Sequence, residues 1–228
     1  MTFQKNSDSA APLSSPTRVS EGKLQELTVS EFVQAVAEGS PTPGGGSVSS
    51  LIAGLSSALV GMVGSLTAAR LQAKATGGSS GKDSDTCCEN ADPKLRLMLD
   101  MVNTAGRLQK NFLALADEDS AAYDRVIAAY RLPKSTEEEK QARSLAIQDA
   151  LKEACLVPAQ VVKLSLEVLR LTEAMVEHGM KSAMSDVAVA GLAAWAGMRG
   201  AHFNVRINLP SIKDEAFVHQ VKDDMAIC

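Results

Sequence analysis

The chain has 228 residues, with 45% hydrophobic, 22% charged and 4% aromatic residues and a formal net charge of −4. That length fits one domain or two small ones with a real core, and the mild acidity excludes the clustered basic surface of a nucleic-acid binder. Alanine and leucine carry the apolar load, which points to helices rather than strands.

The opening stretch MTFQKNSDSAAPLSSPTRVSEGK has no apolar core of a secretory leader. Its Ser, Pro and polar content reads as a disordered tail over residues 1–25, ahead of one helical domain over 26–228. The segment from about Leu27 to Ala37 predicts a short helix capped by Thr28 or Ser30, with Phe32, Val33 and Val36 as its apolar stripe and Gly39 as its end. The run SPTPGGG follows, where Pro and Gly disfavour helix. Ser47 to Ala69 then carries no charge. Its length would permit a membrane span, but its serines and glycines make it weakly apolar and no aromatic belt flanks it. A buried central helix is therefore expected, with no membrane partner.

Residues 75–93 read as a long loop containing Cys87 and Cys88. With Cys155 and Cys228 they form no C-x-x-C pair, and free thiols in a reducing cytoplasm are expected. A helix is predicted from about Lys94 to Arg131, ending before Pro133. The next starts near Ser135 behind the acidic turn STEEEK and reaches about Glu177, kinked or broken at Pro158. Another spans Ser185 to about His202. FNVRINLP alternates polar and apolar residues and predicts an extended segment with Asn204, Arg206 and Asn208 on one edge. DEAFVHQVKDDMA closes the chain as an amphipathic helix. The expected architecture is all-α, a single-domain bundle of long antiparallel helices around a buried small-residue helix.

Chemistry concentrates in three places. Leu108, Phe112, Leu115, Asp119, Ala122, Tyr123, Val126 and Tyr130 share a stripe at helical spacing, and only Asp119 interrupts its apolar character. Burial would raise the pKa of such an acid and keep a proton on it for transfer. A buried Asp satisfied by a cap or a neighbouring arginine is the structural alternative. The PGGGS turn offers backbone N–H groups at a helix start, but lacks the Lys-Ser/Thr ending of a phosphate loop. Three glycines there permit close approach of a flat ligand, or simply a tight connector. Asn204, Arg206 and Asn208 offer amides and a guanidinium for a heterocycle or a carboxylate, or polar groups that satisfy irregular backbone. Asp186 stands at a helix start, where an acid most often serves the dipole. His178, His202 and His219 are scattered, so no metal site is expected.

Three stretches in register, PTPGGGSVSSLIAGLSSALVGMVGSLT, DEDSAAYDRVIAAYRLPK and SDVAVAGLAAWAGMRGAHFNVRINLPSIKDEAF, resemble the cyclodeaminase/cyclohydrolase family over about residues 26–226. The resemblance implies an all-helical enzyme acting on a folate, usually as a homodimer or an assembly of dimers, without a cofactor beyond its tetrahydrofolate substrate. It implies Asp119 as the proton donor, from its place two positions after Asp117 in the D-x-D-x-x-A-[FY] segment. Two activities fit: closure of 5-formimidoyltetrahydrofolate to 5,10-methenyltetrahydrofolate with loss of ammonia, or hydrolysis of the methenyl form to 10-formyltetrahydrofolate. An inactive folate-binding or scaffolding module is a remote third. Substrate-binding candidates are Pro43, Gly44, Gly45, Gly46, Ser47, Asp186, Asn204, Arg206 and Asn208, with Arg70, Lys74 and Lys82 for the acidic tail.

Overall fold

The computed structural model describes residues 22–76 and 92–226. Lys82, Cys87, Cys88, Cys228 and nearly all of the expected tail lie outside the described residues. Six helices follow in order: α1 (Val29–Ala37), α2 (Gly45–Thr76), α3 (Pro93–Tyr130), α4 (Glu137–His178), α5 (Met184–Asn208) and α6 (Glu215–Ala226), with short 3-10 turns at Leu24–Glu26, Lys181–Ala183 and Leu209–Ser211. No strand occurs among the described residues.

Local chemistry sets the helix starts. Thr28 caps α1 and Thr136 caps α4, each in a reciprocal box with the glutamate three residues on, Glu31 and Glu139. Asp92 accepts from the Lys94 N–H, and Pro93 occupies the first helical position of α3. Gly39, at φ 74°, turns the chain out of α1 in the left-handed region that glycine tolerates. The α1 stripe differs from expectation. Phe32 and Ala35 are buried, whereas Val33 and Val36 are exposed.

α2 to α5 pack as an up-down-up-down bundle. Along α2, Gly54 lies against Phe112, the Ser57 hydroxyl donates to the Ala105 carbonyl, and Gly64 lies against Val102. Residue numbers rise on α2 as they fall on α3, so the two are antiparallel. The same ordering relates α2 to α5, through Gly197 against Ala53 and the Ser56 hydroxyl donating to Ala190. α4 runs antiparallel to both α3 and α5, as the Arg125–Glu153 and Arg107–Glu167 pairs and the contact of Gly191 with Thr172 show. Phe112, Met98, Leu108, Met175 and Val60 fill the centre with no measurable exposure. α6 lies on α4, clamped by Lys152–Asp214 and Lys163–Asp224.

Two expectations about helix continuity are corrected, the break at Pro158 and the extended segment after Phe203. α4 runs unbroken through Pro158. Proline removes the N–H that the Ala154 carbonyl, four residues earlier, would accept. The side-chain amide of Asn208 supplies the missing donor at 2.9 Å. FNVRINLP is not extended: α5 continues to Asn208, and Leu209–Ser211 follows as a 3-10 turn. Val205 is buried, so the helical face that meets the core outweighs the two-residue alternation. α2 is also only partly the buried helix expected. Ser47, Ser50, Ser56 and Ser57 are fully buried, yet Leu55, Met62 and Leu66 are exposed on its opposite side. α2 is long and apolar enough to cross a membrane, but half of its most apolar window is buried within the bundle.

Candidate functional site

The site lies where α2 begins. The chain enters through a cis Thr42–Pro43 bond, and the Gly44 carbonyl accepts the first helical N–H, from Val48 at 3.0 Å. Gly45, Gly46 and Ser47 therefore form the first turn, whose N–H groups have no partners earlier in the helix.

Asp119 of α3 is set against this turn. A β-carbon on Gly46 would fall inside the Asp119 carboxylate, 2.6 Å from Oδ2. The absence of a side chain at residue 46 is thus a spatial requirement of the acid. The Ser47 hydroxyl donates to Asp119 Oδ2 at 3.0 Å and lies 3.2 Å from the Ser120 hydroxyl. Asp119 is half-buried, with buried Leu115, Ala116 and Ala122 about it on α3. Burial pushes its pKa above the ordinary carboxylate value, while the Ser47 hydroxyl and amide pull the other way. Burial wins, so the group favours its proton more than a free Asp does.

α5 closes another side. A methyl group on Gly45 would come within 3.5 Å of the Asn204 amide nitrogen, so Asn204 lies over the turn. Its amide also donates to the Gly200 carbonyl at 2.9 Å. On the same helix as Asp119, Asp117 accepts from the Leu24 N–H at 2.6 Å and from the Gln25 side chain at 2.9 Å. It ties the first described turn of the chain to α3, two residues from the acid.

The structure thus brings together Pro43, Gly44, Gly45, Gly46, Ser47, Asp119 and Asn204 at one end of the bundle. Other candidates lie elsewhere. Asn208 spends its amide on Ala154. Arg206 is exposed and, two positions on from Asn204 in a helix, turns to the opposite side of α5. Asp186 is in the first turn of α5, about 27 Å along that helix from Asn204 at 1.5 Å per residue. Arg70 and Lys74 are likewise about 36 Å or more along α2 from Gly46. Sequence reasoning missed Ser120 and Asp117. Their partners lie 73 and 93 positions away, and no local pattern signals them. Among the described residues no group of three or more His, Cys, Asp or Glu could hold a metal ion.

This arrangement presents one carboxyl that burial inclines toward its protonated form beside a helix start, with the Ser47 and Ser120 hydroxyls within reach of it and exposed Gly45 next to it. It suits proton delivery to a bound flat ligand.

A family model described as Formiminotransferase-cyclodeaminase matches residues 28–227. The chain is 35% identical over 193 residues to a methenyltetrahydrofolate cyclohydrolase of Methylorubrum extorquens, covering 85% of this chain and 84% of that protein. It is 30% identical over 202 residues to the formimidoyltransferase-cyclodeaminase of Rattus norvegicus, covering 89% of this chain but 34% of that protein. It therefore spans about a third of that longer relative. Among solved structures, the formiminotetrahydrofolate cyclodeaminase of Thermotoga maritima superposes with a TM-score of 0.71 at 28% identity, covering 90% of this chain and 89% of that one.

Proposed function

The chain belongs to the formiminotransferase-cyclodeaminase family, and from that premise we propose that it is a folate enzyme of one-carbon metabolism, closing 5-formimidoyltetrahydrofolate to 5,10-methenyltetrahydrofolate with release of ammonia. The observation that carries this reading is the half-buried, proton-favouring Asp119 against the glycine start of α2. The nitrogen at position 10 attacks the formimidoyl carbon, and its proton passes to the terminal formimidoyl nitrogen, leaving an amino group on a tetrahedral carbon. The bond from that carbon to the terminal nitrogen breaks, and Asp119 protonates the departing nitrogen, which leaves as ammonia. Both nitrogens belong to one molecule, so the protein has to hold a near-attack conformation and move protons. The Gly44–Gly45 part of the turn, with Gly46 closed off by Asp119, is assigned to the pterin ring in this reading, with Asn204 as an amide partner at its edge.

A second reading is favoured by one comparison. The cyclohydrolase relative matches this chain over most of both lengths. Hydrolysis of the methenyl bridge to 10-formyltetrahydrofolate would use the same acid and its conjugate base around an attacking water. Supplying each purified folate, following absorbance of the methenyl form and measuring ammonia in parallel separates the two. Methenyl gain with equimolar ammonia establishes the deaminase, and methenyl loss without ammonia the hydrolase. Tight folate binding with neither turnover would overturn both.

A homodimer in the cytoplasm completes the proposal. The outward apolar side of α2 supports the dimer, and the buried free thiol of Cys155, pushed up to about 11 by burial, suits a reducing compartment.

A further inference from the structure

One line of α3 faces α2. Ala105 lies against Gly61, Phe112 against Gly54 and Asp119 against Gly46. At about 100° of turn per residue, Tyr123 and Tyr130 fall on the same line, within about 40° of the other three. What faces them differs. Asp119 is level with Gly46 and Ser120 with Ser47, and α2 starts only at Gly45. α3 runs on to Tyr130, about 15 Å beyond Ser120 at 1.5 Å per residue. The line therefore leaves the cover of α2 just past the acid. Tyr123 and Tyr130 are 37% and 48% exposed there, whereas Phe112 is fully buried. A side chain on exposed Gly45 would meet, among the described residues, only the Asn204 amide within 4 Å, so the glycine turn is open beside them.

A cation stands at the far end of this line. The guanidinium of Arg143, on α4, lies 5.7 Å from the centre of the Tyr130 ring and donates through Nε and Nη2 to the Tyr130 carbonyl at 3.3 and 3.0 Å. Tyr130 thus fixes the group and leaves its Nη1 edge for another acceptor. The charges around it are already committed. Arg125 pairs with Glu118 and Glu153, Lys140 pairs with Glu137, and Glu139 accepts from the Ser135 and Thr136 amides. Among the described residues no carboxylate is paired with Arg143.

We infer that this open line is the subsite for the tail of the substrate: the ring of Tyr123 stacks on the aminobenzoyl ring, and Arg143, held in place by Tyr130, receives a glutamyl carboxylate. The identity of the ligand rests on the folate reading above; the open line does not. In that reading the nitrogen at position 10 lies beside Asp119 and carries the aminobenzoyl ring directly. Toward Phe112 the line is closed by α2, so along α3 the ring has room only toward Tyr123, about 6 Å on. The aminobenzoyl-glutamate unit spans about 12 Å at ordinary bond lengths, which brings its carboxylates toward Tyr130 and within side-chain reach of Arg143. An exposed aromatic face suits a flat ring, and a guanidinium edge suits a carboxylate. Arg143 takes the role expected of Arg70 and Lys74, which stand near the opposite end of α2.

Two probes that undergo no chemistry test this by calorimetric titration. 5-Formyltetrahydrofolate has the whole tail and no departing nitrogen; 5-formyltetrahydropteroate lacks the glutamate as well. Tyr123→Ala is expected to weaken both about tenfold. Tyr123→Phe should leave both unchanged, because the ring rather than the hydroxyl makes the contact. Tyr123→Leu keeps apolar bulk without the ring and should behave as Tyr123→Ala does, which covers the case where alanine prevents folding. Arg143→Ala is expected to weaken the first probe about fivefold and leave the second untouched. In turnover the same losses should fall on KM, with kcat little changed. Folded Tyr123→Ala or Tyr123→Leu binding both probes as the parent does overturns the stacking role. An equal effect of Arg143→Ala on the two probes, or none on either, overturns the carboxylate role. A parent that binds neither probe overturns the subsite. A parent that turns over neither folate, while the variants still sort the probes as expected, refutes the proposed reaction and leaves the subsite standing.

Discussion

Replacing Asp119 by Asn keeps the shape of the side chain and removes its transferable proton. Turnover should fall by about 10²–10⁴, measured as kcat on the active folate. Stability should move the other way. Burial raises the pKa of this acid, so the native chain binds its proton more tightly than the unfolded chain does. The ionised form therefore lowers stability progressively as pH rises from the ordinary carboxylate value through the raised one. A neutral amide at this position carries no such cost, so the variant should melt higher at neutral pH, with the gap closing as pH falls below about 4. Ser47→Ala tests the hydrogen bond that opposes burial. With that donor gone, the pKa rises further, and the pH at which activity is lost on the alkaline side should shift upward. Of this cluster, Asp119 was legible as the one acid in an apolar stripe, and PGGGS as a helix entry. What the sequence could not convey was their contact across 72 positions, nor that residue 46 must lack a side chain because a carboxylate occupies the space.

At the scale of the helices, Pro158 and Asn208 form a unit. Asn208→Ala would leave the Ala154 carbonyl without a donor inside the α4–α5 contact, a loss of about 1–3 kcal/mol in unfolding free energy. Pro158→Ala returns a backbone N–H to that carbonyl. The cost of Asn208→Ala should therefore shrink in the Pro158→Ala background, and a denaturation cycle over the four proteins checks the coupling. The residues explain why this part of the chain reads as a strand and folds as a helix. Asn204, Arg206 and Asn208 alternate with apolar neighbours as a strand would, but 204 and 208 are also four apart and share a helical face. So short a run satisfies both periods, and the choice falls to tertiary packing: Val205 enters the core and Asn208 finds Ala154. Pro158 invited a break for the same reason, since its remedy comes from another helix.

For the whole molecule, the bundle of long helices was legible because α3, α4 and α6 combine clear caps with apolar stripes, and their predicted bounds fall within a few residues of those observed. The outward side of α2 was not, because an uncharged helix gives no periodic contrast to separate its two faces. The outer layer is unevenly secured. α6 is held to α4 by Lys152–Asp214 and Lys163–Asp224, with Val221 and Met225 buried beneath. Both aspartates are held below the usual carboxylate range, chiefly by hydrogen bonds from their lysines. Their contribution is present above the ordinary carboxylate pKa and is lost as pH falls through the lowered values. Amide hydrogen exchange should show α6 opening before α2–α5, and faster at about 1 M salt than at about 0.1 M. The fit of Asp119 against Gly46 has a consequence for assembly. Sliding α2 by one turn along α3 would present Ser50 or Pro43 to the carboxylate, and each carries a β-carbon where there is no room. The acid thus acts as an index pin: a refolded preparation with shifted helices can look fully helical by circular dichroism, but its specific activity counts the molecules assembled in true alignment.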